Sequence, residues 1–138
     1  MSERPHPLAL YHYTCEHGHD RIGQAGELLP AWDLVSPAKQ KLLPVTSKLV
    51  WMTDLRLPAM GPLGLTHQML TCDRTAHRYR VAEKAHALWW MDVRRSMPAE
   101  WRDPLELAPG AMPMHWWVTD RPVPVTYDPI PAGFLARR

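Results

Sequence analysis

The stretch Leu10-Tyr11-His12-Tyr13-Thr14-Cys15-Glu16-His17-Gly18-His19 decides how the first half of the chain folds. Its apolar and aromatic beginning, residues 8–13, is typical of a short strand. Thr14 is a candidate for a helix N-cap, because its hydroxyl can accept a backbone N–H from the next turn. Gly26 suits the left-handed residue that ends a helix. We therefore predict a strand that leads directly into a helix over residues 15–25.

Composition limits the length of the secondary-structure elements. The chain has 138 residues, of which 15 are proline, and prolines are excluded from helix interiors and central strands. Strands are predicted at residues 48–53, 77–82 and 115–119, with one turn of helix at 98–103. Strands and short helices follow one another without repeated βαβ spacing. We therefore predict an α+β fold with a small mixed or antiparallel sheet and short helices, in a single domain over residues 1–138.

The remaining segments are predicted from their prolines and their polarity. Residues 1–7 are expected to form a loose N-terminal arm, and residues 130–138 a loose tail. Pro122 and Pro124 confine the segment around them to a sheet edge or an extended stretch, because proline cannot donate to a strand ladder. Residues 84–95 fit either a strand or a buried helix, so both interpretations stay open.

Charge and hydropathy indicate which classes of partner the sequence supports. The formal net charge is +2 and no run of basic residues is longer than two, so a nucleic-acid partner has no support. No apolar stretch approaches the about 20 residues of a membrane-spanning helix, and no secretion signal is expected. We therefore expect a cytoplasmic protein without a membrane partner, in which Cys15 and Cys72 are reduced thiols. The oligomeric state is not predicted.

Two close pairs of possible metal ligands occur in the sequence: Cys15 with His17 or His19, and Cys72 with His77. Tetrahedral zinc accepts such combinations of thiolate and imidazole. However, the spacings C-x-H and C-x4-H are not the usual ones of zinc knuckles. A small zinc-binding domain is therefore kept as an alternative, although zinc is not the cofactor that we expect.

Two further interpretations need no cofactor. The 7 tryptophans fit a non-catalytic module for a protein partner, since exposed aromatic side chains often mark interfaces. The exposed anchors would then be Trp89, Trp90, Trp116 and Trp117. Alternatively, His12 is a partly buried histidine satisfied by a backbone group, and Cys15 packs as a small apolar residue.

Two motifs of this chain, Tyr11-His12-Tyr13-Thr14 and Val50-Trp51-Met52-Thr53, resemble motifs of the ADP-ribosyltransferase superfamily. Tyr11-His12-Tyr13-Thr14, followed by a short helix and the glycine and apolar turn of residues 22–30, looks like the first motif. Small rifampin-modifying transferases, RNA 2'-phosphotransferases and poly-ADP-ribose polymerases carry such a strand with histidine. Val50-Trp51-Met52-Thr53 is similar to the second motif, a strand whose aromatic residue packs on nicotinamide. The resemblance covers roughly the first half of the chain.

The resemblance implies an ADP-ribosyltransferase-like fold and NAD as a substrate. His12 would donate to a ribose hydroxyl, and Trp51 would stack on the nicotinamide ring. A guanidinium on the strand that follows could form bidentate hydrogen bonds with the pyrophosphate. The residues assigned to NAD binding are His12, Tyr13, Thr14, Trp51, Thr53, Arg78, Arg80 and His115.

The family also implies a late acidic residue that orients a ribose hydroxyl and stabilises the cationic transition state. The late strand of this chain offers His115 and no carboxylate. Glu106 is the nearest acid upstream, so we predict His12 and Glu106 as catalytic residues, with Asp92 and Asp120 as alternatives. Nicotinamide would leave NAD and an acceptor would attack the ribosyl carbon. The acceptor is not predicted, and without a carboxylate at the site the domain would bind a nucleotide without turnover.

Overall fold

The computed structural model describes residues 5–43, 45–58, 62–63 and 75–132. In this part of the chain, seven strands form one antiparallel sheet: β1 Tyr11–Thr14, β2 Glu27–Leu28, β3 Val50–Thr53, β4 His77–Val81, β5 Leu88–Trp89, β6 Trp116–Thr119 and β7 Val123–Tyr127. The strand order across the sheet is β2-β7-β4-β1-β3-β6-β5. The α-helices are α1 Glu16–Ala25, α2 Pro37–Gln40, α3 Trp90–Val93 and α4 Ala99–Glu106. The predicted α+β class with an antiparallel sheet and short helices is confirmed.

The strand-to-helix junction of the opening stretch forms as predicted, with one correction. The α-helix α1 ends at Gly26, which has a φ of 72° and donates its N–H to the carbonyl of Ile22 at 2.7 Å. Thr14, however, is the last residue of β1 and not the N-cap. Cys15 occupies the N-cap position, and its side chain makes no capping hydrogen bond. The predicted N-cap is wrong because the strand continues for one residue more than expected.

Side chains that alternate along the strands build the core on both faces of the sheet. On one face α1 covers a cluster that contains Leu10, Ile22, Leu28, Val50, Met52, Tyr79, Val81, Trp117, Val123 and Val125. On the other face α3 places Trp90 against Trp116 and Val118, with Trp51 partly buried beside them. Both faces of the central strands are thus covered.

Two late elements differ in detail from the prediction. Residues 84–95 contain both alternatives, the strand β5 and the helix α3, while α4 extends the predicted turn to Glu106 with Pro104 inside it. Of the two alternatives predicted for the segment around Pro124, the extended stretch is confirmed and the sheet edge is wrong, because β7 lies between β2 and β4. The pairing of β7 with β4 ends at Val125, one residue after Pro124 in the chain. The N–H that proline lacks therefore lies beyond the β4–β7 ladder, and the sheet tolerates Pro124.

The chain ends are described only in part. Residues 1–4 and 133–138 lie outside the described residues. The predicted tail begins with Ile130, which is buried against Tyr11 and Tyr13, so its first residue is anchored in the core. Among the helices that the structure describes, none has the length and apolarity needed to cross a membrane.

Gly18 lets α1 pass close to the end of β1. A Cβ atom at Gly18 would lie 1.9 Å from Oγ1 of the buried Thr14, whereas one at Gly23 would meet the Tyr79 hydroxyl at an ordinary 3.8 Å. Alanine improves the helix propensity equally at both positions, by about 1 kcal/mol. We therefore expect Gly23→Ala to raise the free energy of unfolding by about 0.5–1 kcal/mol and Gly18→Ala to lower it by about 1–3 kcal/mol. Urea denaturation measures both values, and equal effects would contradict the close contact.

Candidate functional site

A cavity of about 470 Å³ lies between β1, β3 and α1. Within the described residues, β1 and β3 pair only at Tyr11 and Thr53, so the sheet has a gap beyond this pair. Helix α1, β2 and Leu63 complete the wall, which is mostly apolar and aromatic. The volume falls within the range of about 300–1,000 Å³ that is typical of small-molecule sites. The cavity is therefore large enough for a ligand.

His12 bridges the gap between the two strands. Its Nδ1 lies 2.8 Å from the carbonyl oxygen of Trp51. A carbonyl can only accept, so Nδ1 must donate, and the neutral imidazole then carries its acceptor lone pair on Nε2. The hydrogen bond fixes both the tautomer and the orientation of a ring that lines the cavity.

The indole of Trp51 also lines the cavity, but from the other face of the sheet. Tyr11 stands opposite Thr53, so alternation along the strands places Trp51 and His12 on different faces. The indole packs against Trp90 and Trp116, at ring-centroid distances of 4.9 and 5.9 Å. Its Nε1 also donates to a carbonyl at 3.2 Å. Trp51 is therefore a rigidly held aromatic wall.

Three predicted residues with hydroxyl groups also line the cavity: Tyr13, Thr14 and Thr53. The Tyr13 hydroxyl donates to the carbonyl of Leu55 at 2.8 Å, and burial raises the pKa of this phenol. The Thr53 hydroxyl donates to the carbonyl of His115 at 2.8 Å. The hydroxyls of Tyr13 and Thr53 are thus used to hold the wall in place.

The two predicted arginines of β4 do not line the cavity. Arg78 is 7% exposed, and its guanidinium donates to the carboxylate of Asp128 at 3.1 Å. It also donates to the carbonyls of Arg56, Asp128 and Pro129, at 2.6, 2.9 and 3.2 Å. Arg80 is exposed. Arg78 therefore connects β4 to two loops, the one that follows β3 and the one that follows β7.

Glu106, the predicted catalytic acid, lies outside the cavity and is hydrogen-bonded to a tryptophan and an arginine. Glu106 accepts the Nε1–H of Trp90 at 2.7 Å and two N–H groups of Arg94 at 2.8 Å each. The hydrogen bonds from Arg94 are the main reason why the pKa of Glu106 is lowered. Its neighbour Leu105 lines the cavity, but Glu106 does not. The carboxylate joins α4 to α3.

The other predicted polar residues of the late segment also lie outside the lining. His115 places Nδ1 2.6 Å from Oδ1 of Asp54, and its backbone carbonyl accepts from the Thr53 hydroxyl. The alternative acids Asp92 and Asp120 are exposed and do not line the cavity. The structure thus brings together the predicted residues of β1 and β3, and separates them from those of β4 and the late segment.

Four polar residues that the sequence did not indicate for NAD binding also line the cavity: Cys15, His17, Arg21 and Glu27. His17 and Arg21 are four residues apart, so one face of α1 carries both, a signal that the sequence contains. Glu27 is the only carboxylate in the described part of the lining. It belongs to the two-residue strand β2, which forms by pairing with β7. No local pattern reveals a strand this short.

Two of the alternative interpretations need correction. Trp90, Trp116 and Trp117 are only 0%, 4% and 5% exposed, so the prediction that they are exposed anchors is wrong. Trp116 and Trp117 are buried because β6 lies inside the sheet, between β3 and β5, and Trp90 is buried because α3 packs it against Trp116 and Val118.

The members of the predicted zinc set are also divided. Cys15 lines the cavity, whereas His19 and His77 stack on each other with Glu16 beside them. Cys72 lies outside the described residues.

The fold and the cavity define a small α+β protein with a ligand-sized opening between two strands of its sheet. Comparisons of the chain with protein-family models, with curated proteins and with solved structures find no match. Function must therefore be argued from the chemistry of the cavity and not from relatives.

Proposed function

We propose that the cavity binds NAD through its nicotinamide end and that the protein is an ADP-ribosyltransferase-like enzyme. The observation that carries this proposal is that His12 and Trp51, from two separate sequence motifs, line one cavity of about 470 Å³. A mostly apolar and aromatic wall with a few polar groups is typical of sites for small molecules and cofactors.

The nicotinamide ring enters between β1 and β3, where Trp51 offers an aromatic face for stacking. Because Nδ1 of His12 donates to the Trp51 carbonyl, its Nε2 accepts from a ribose hydroxyl, which reverses the donor role that the resemblance implies. Arg21 takes the pyrophosphate, since it lines the cavity and a guanidinium forms bidentate bonds with phosphate oxygens. Arg21 thus replaces Arg78 and Arg80 in the role that the sequence suggested for them.

Glu27 replaces Glu106 as the acidic residue of the proposed reaction. The bond between the ribosyl carbon and the nicotinamide nitrogen breaks, and its electron pair leaves with neutral nicotinamide. The Glu27 carboxylate stabilises the cationic ribosyl group that remains. A lone pair of the acceptor then forms the new bond to the ribosyl carbon, and the acceptor's proton passes to Glu27. Glu27 has these roles because it is the carboxylate among the described residues that line the cavity.

Thermal unfolding with and without NAD tests the binding step. A ligand present at about one hundred times its dissociation constant stabilises the folded state by about 2.7 kcal/mol, so NAD should raise the unfolding temperature. His12→Asn should remove most of this shift, because asparagine keeps a donor for the Trp51 carbonyl but lacks the rest of the ring. The exposed Arg80 provides the control, since Arg80→Ala should leave the NAD shift unchanged.

Release of nicotinamide, measured by chromatography, tests the chemical step separately. Glu27→Gln should keep the NAD shift and lose nicotinamide release, whereas Glu106→Gln should keep both as long as it remains folded. An NAD shift that survives in His12→Asn would contradict the proposed pocket. Nicotinamide release that survives in Glu27→Gln would contradict the proposed role of Glu27 alone.

A further inference from the structure

A second cluster of polar side chains lies where α1 begins beside the first residue of β4. Thr14 pairs with His77, so the start of β4 stands next to the first turn of the helix that follows β1. Glu16 and His19 are three residues apart on α1, so they share one helix face. This register brings Glu16, His19 and His77 together, and none of the three lines the cavity described above.

The three side chains present their ligand atoms at short range. One oxygen of Glu16 and one ring nitrogen of each histidine all lie within 4.8 Å of one another. The Nε2 of His77 contacts Oε2 of Glu16 directly, and the two imidazole rings stack at a centroid distance of 3.9 Å. A zinc ion holds nitrogen and oxygen ligands at about 2.0–2.2 Å, so small side-chain rotations suffice to bring all three to one ion.

Two tyrosines orient the imidazole rings from behind. The Tyr79 hydroxyl donates to the carbonyl of His19 at 3.1 Å, so it must accept from Nδ1 of the same histidine at 2.7 Å. The lone pair of His19 therefore lies on Nε2. The Tyr127 hydroxyl lies 3.0 Å from Nδ1 of His77. Hydrogen bonds from the second ring nitrogen are the feature that fixes metal-binding histidines in proteins.

We propose that Glu16, His19 and His77 form a binding site for a divalent transition-metal ion, with zinc as the preferred ion. Two imidazole nitrogens and one carboxylate oxygen suit zinc, whereas magnesium and calcium require oxygen ligands. On binding, the imidazole of His77 changes tautomer, so that its proton lies on Nδ1 and this N–H donates to the Tyr127 hydroxyl oxygen, and the rings tilt apart. Three protein ligands leave a fourth tetrahedral position for water or an external ligand.

This site differs from the zinc set considered from the sequence, because a carboxylate of α1 takes the place of the thiols. It is also independent of the proposed NAD site, with which it shares no residue. Glu16 is largely exposed, with 70% of its side chain accessible, whereas His77 is at 17%. An ion would therefore be held at the surface, where an external ligand can reach the open position.

Calorimetric titration of the full chain with zinc chloride tests the proposal. The protein should bind one zinc ion per chain, and magnesium should not compete. Loss of the hydrogen-bond partner behind a metal ligand can already weaken metal binding by about tenfold. Loss of a ligand itself should therefore weaken zinc binding by more than about tenfold in each of the variants Glu16→Gln, His19→Ala and His77→Ala. His86→Ala removes an exposed histidine that does not belong to this cluster, so it should leave the affinity within about twofold of the parent.

Failure to bind zinc would overturn the site, and so would unchanged affinity in Glu16→Gln and His19→Ala. If His77→Ala does not fold, Tyr127→Phe keeps the site testable, because its ring is retained and only the hydroxyl behind His77 is lost. Tyr127→Phe should weaken zinc binding by about tenfold. An unchanged value would show that His77 is not oriented as proposed.

Discussion

Replacing Trp90 with alanine is expected to lower the free energy of unfolding by about 3–5 kcal/mol. Trp90 is fully buried, with its ring centroid 4.9 Å from that of Trp51 and 6.4 Å from that of Trp116. Its indole N–H also donates to Glu106 at 2.7 Å. The substitution therefore leaves a large cavity in the core and removes one hydrogen-bond donor of the partly buried Glu106 carboxylate. Both changes lower the free energy of unfolding.

Urea denaturation of Trp90→Ala and of a matched control measures this effect. Trp101 is the suitable control, because it lies on α4 and is 36% exposed. Trp101→Ala should cost less than about 1 kcal/mol, as most surface substitutions do. Similar losses in the two variants would contradict a core centred on Trp90.

Arg78→Ala is expected to lower the free energy of unfolding by about 2–4 kcal/mol, because it removes a buried guanidinium and its ion pair with Asp128, whose side chain is 34% exposed. The guanidinium joins β4 to Asp128 and to the carbonyls of Arg56 and Pro129. Its removal leaves these acceptors without their donors. Arg78→Lys should recover only part of the loss, because an ammonium group cannot donate in the same planar pattern.

The neighbouring Arg80 is the natural control for Arg78. It lies two residues further along β4 and is exposed. Arg80→Ala should change the free energy of unfolding by no more than about 0.5 kcal/mol in urea denaturation. A small effect at both positions would show that the hydrogen bonds of Arg78 do not stabilise the fold.

Elements with local signals could be predicted from the sequence. Gly26 marks the end of α1 because a left-handed residue favours glycine, and the β-branched and aromatic content of residues 48–53 indicates β3. By contrast, β2 has only two residues and exists through pairing with β7. The position of Pro124 inside the sheet likewise follows from non-local pairing that no short pattern carries.

The candidate site shows the same limit. His12 and Trp51 could be connected through motif resemblance, and the structure places both on the cavity. The roles of Arg78 and Glu106 could not be predicted, because the sequence shows neither which group a charged side chain contacts nor whether that side chain is buried. Their partners Asp128 and Arg94 are set by packing. Glu27 could not be predicted as a cavity residue, because its position depends on the non-local pairing of β2 with β7.

A crystal structure of the protein soaked with saturating NAD tests the central claim most directly. Electron density for the nicotinamide ring is expected between β1 and β3, bounded by the imidazole of His12 and the indole of Trp51. Density for NAD at another surface, with this cavity filled only by water, would contradict it.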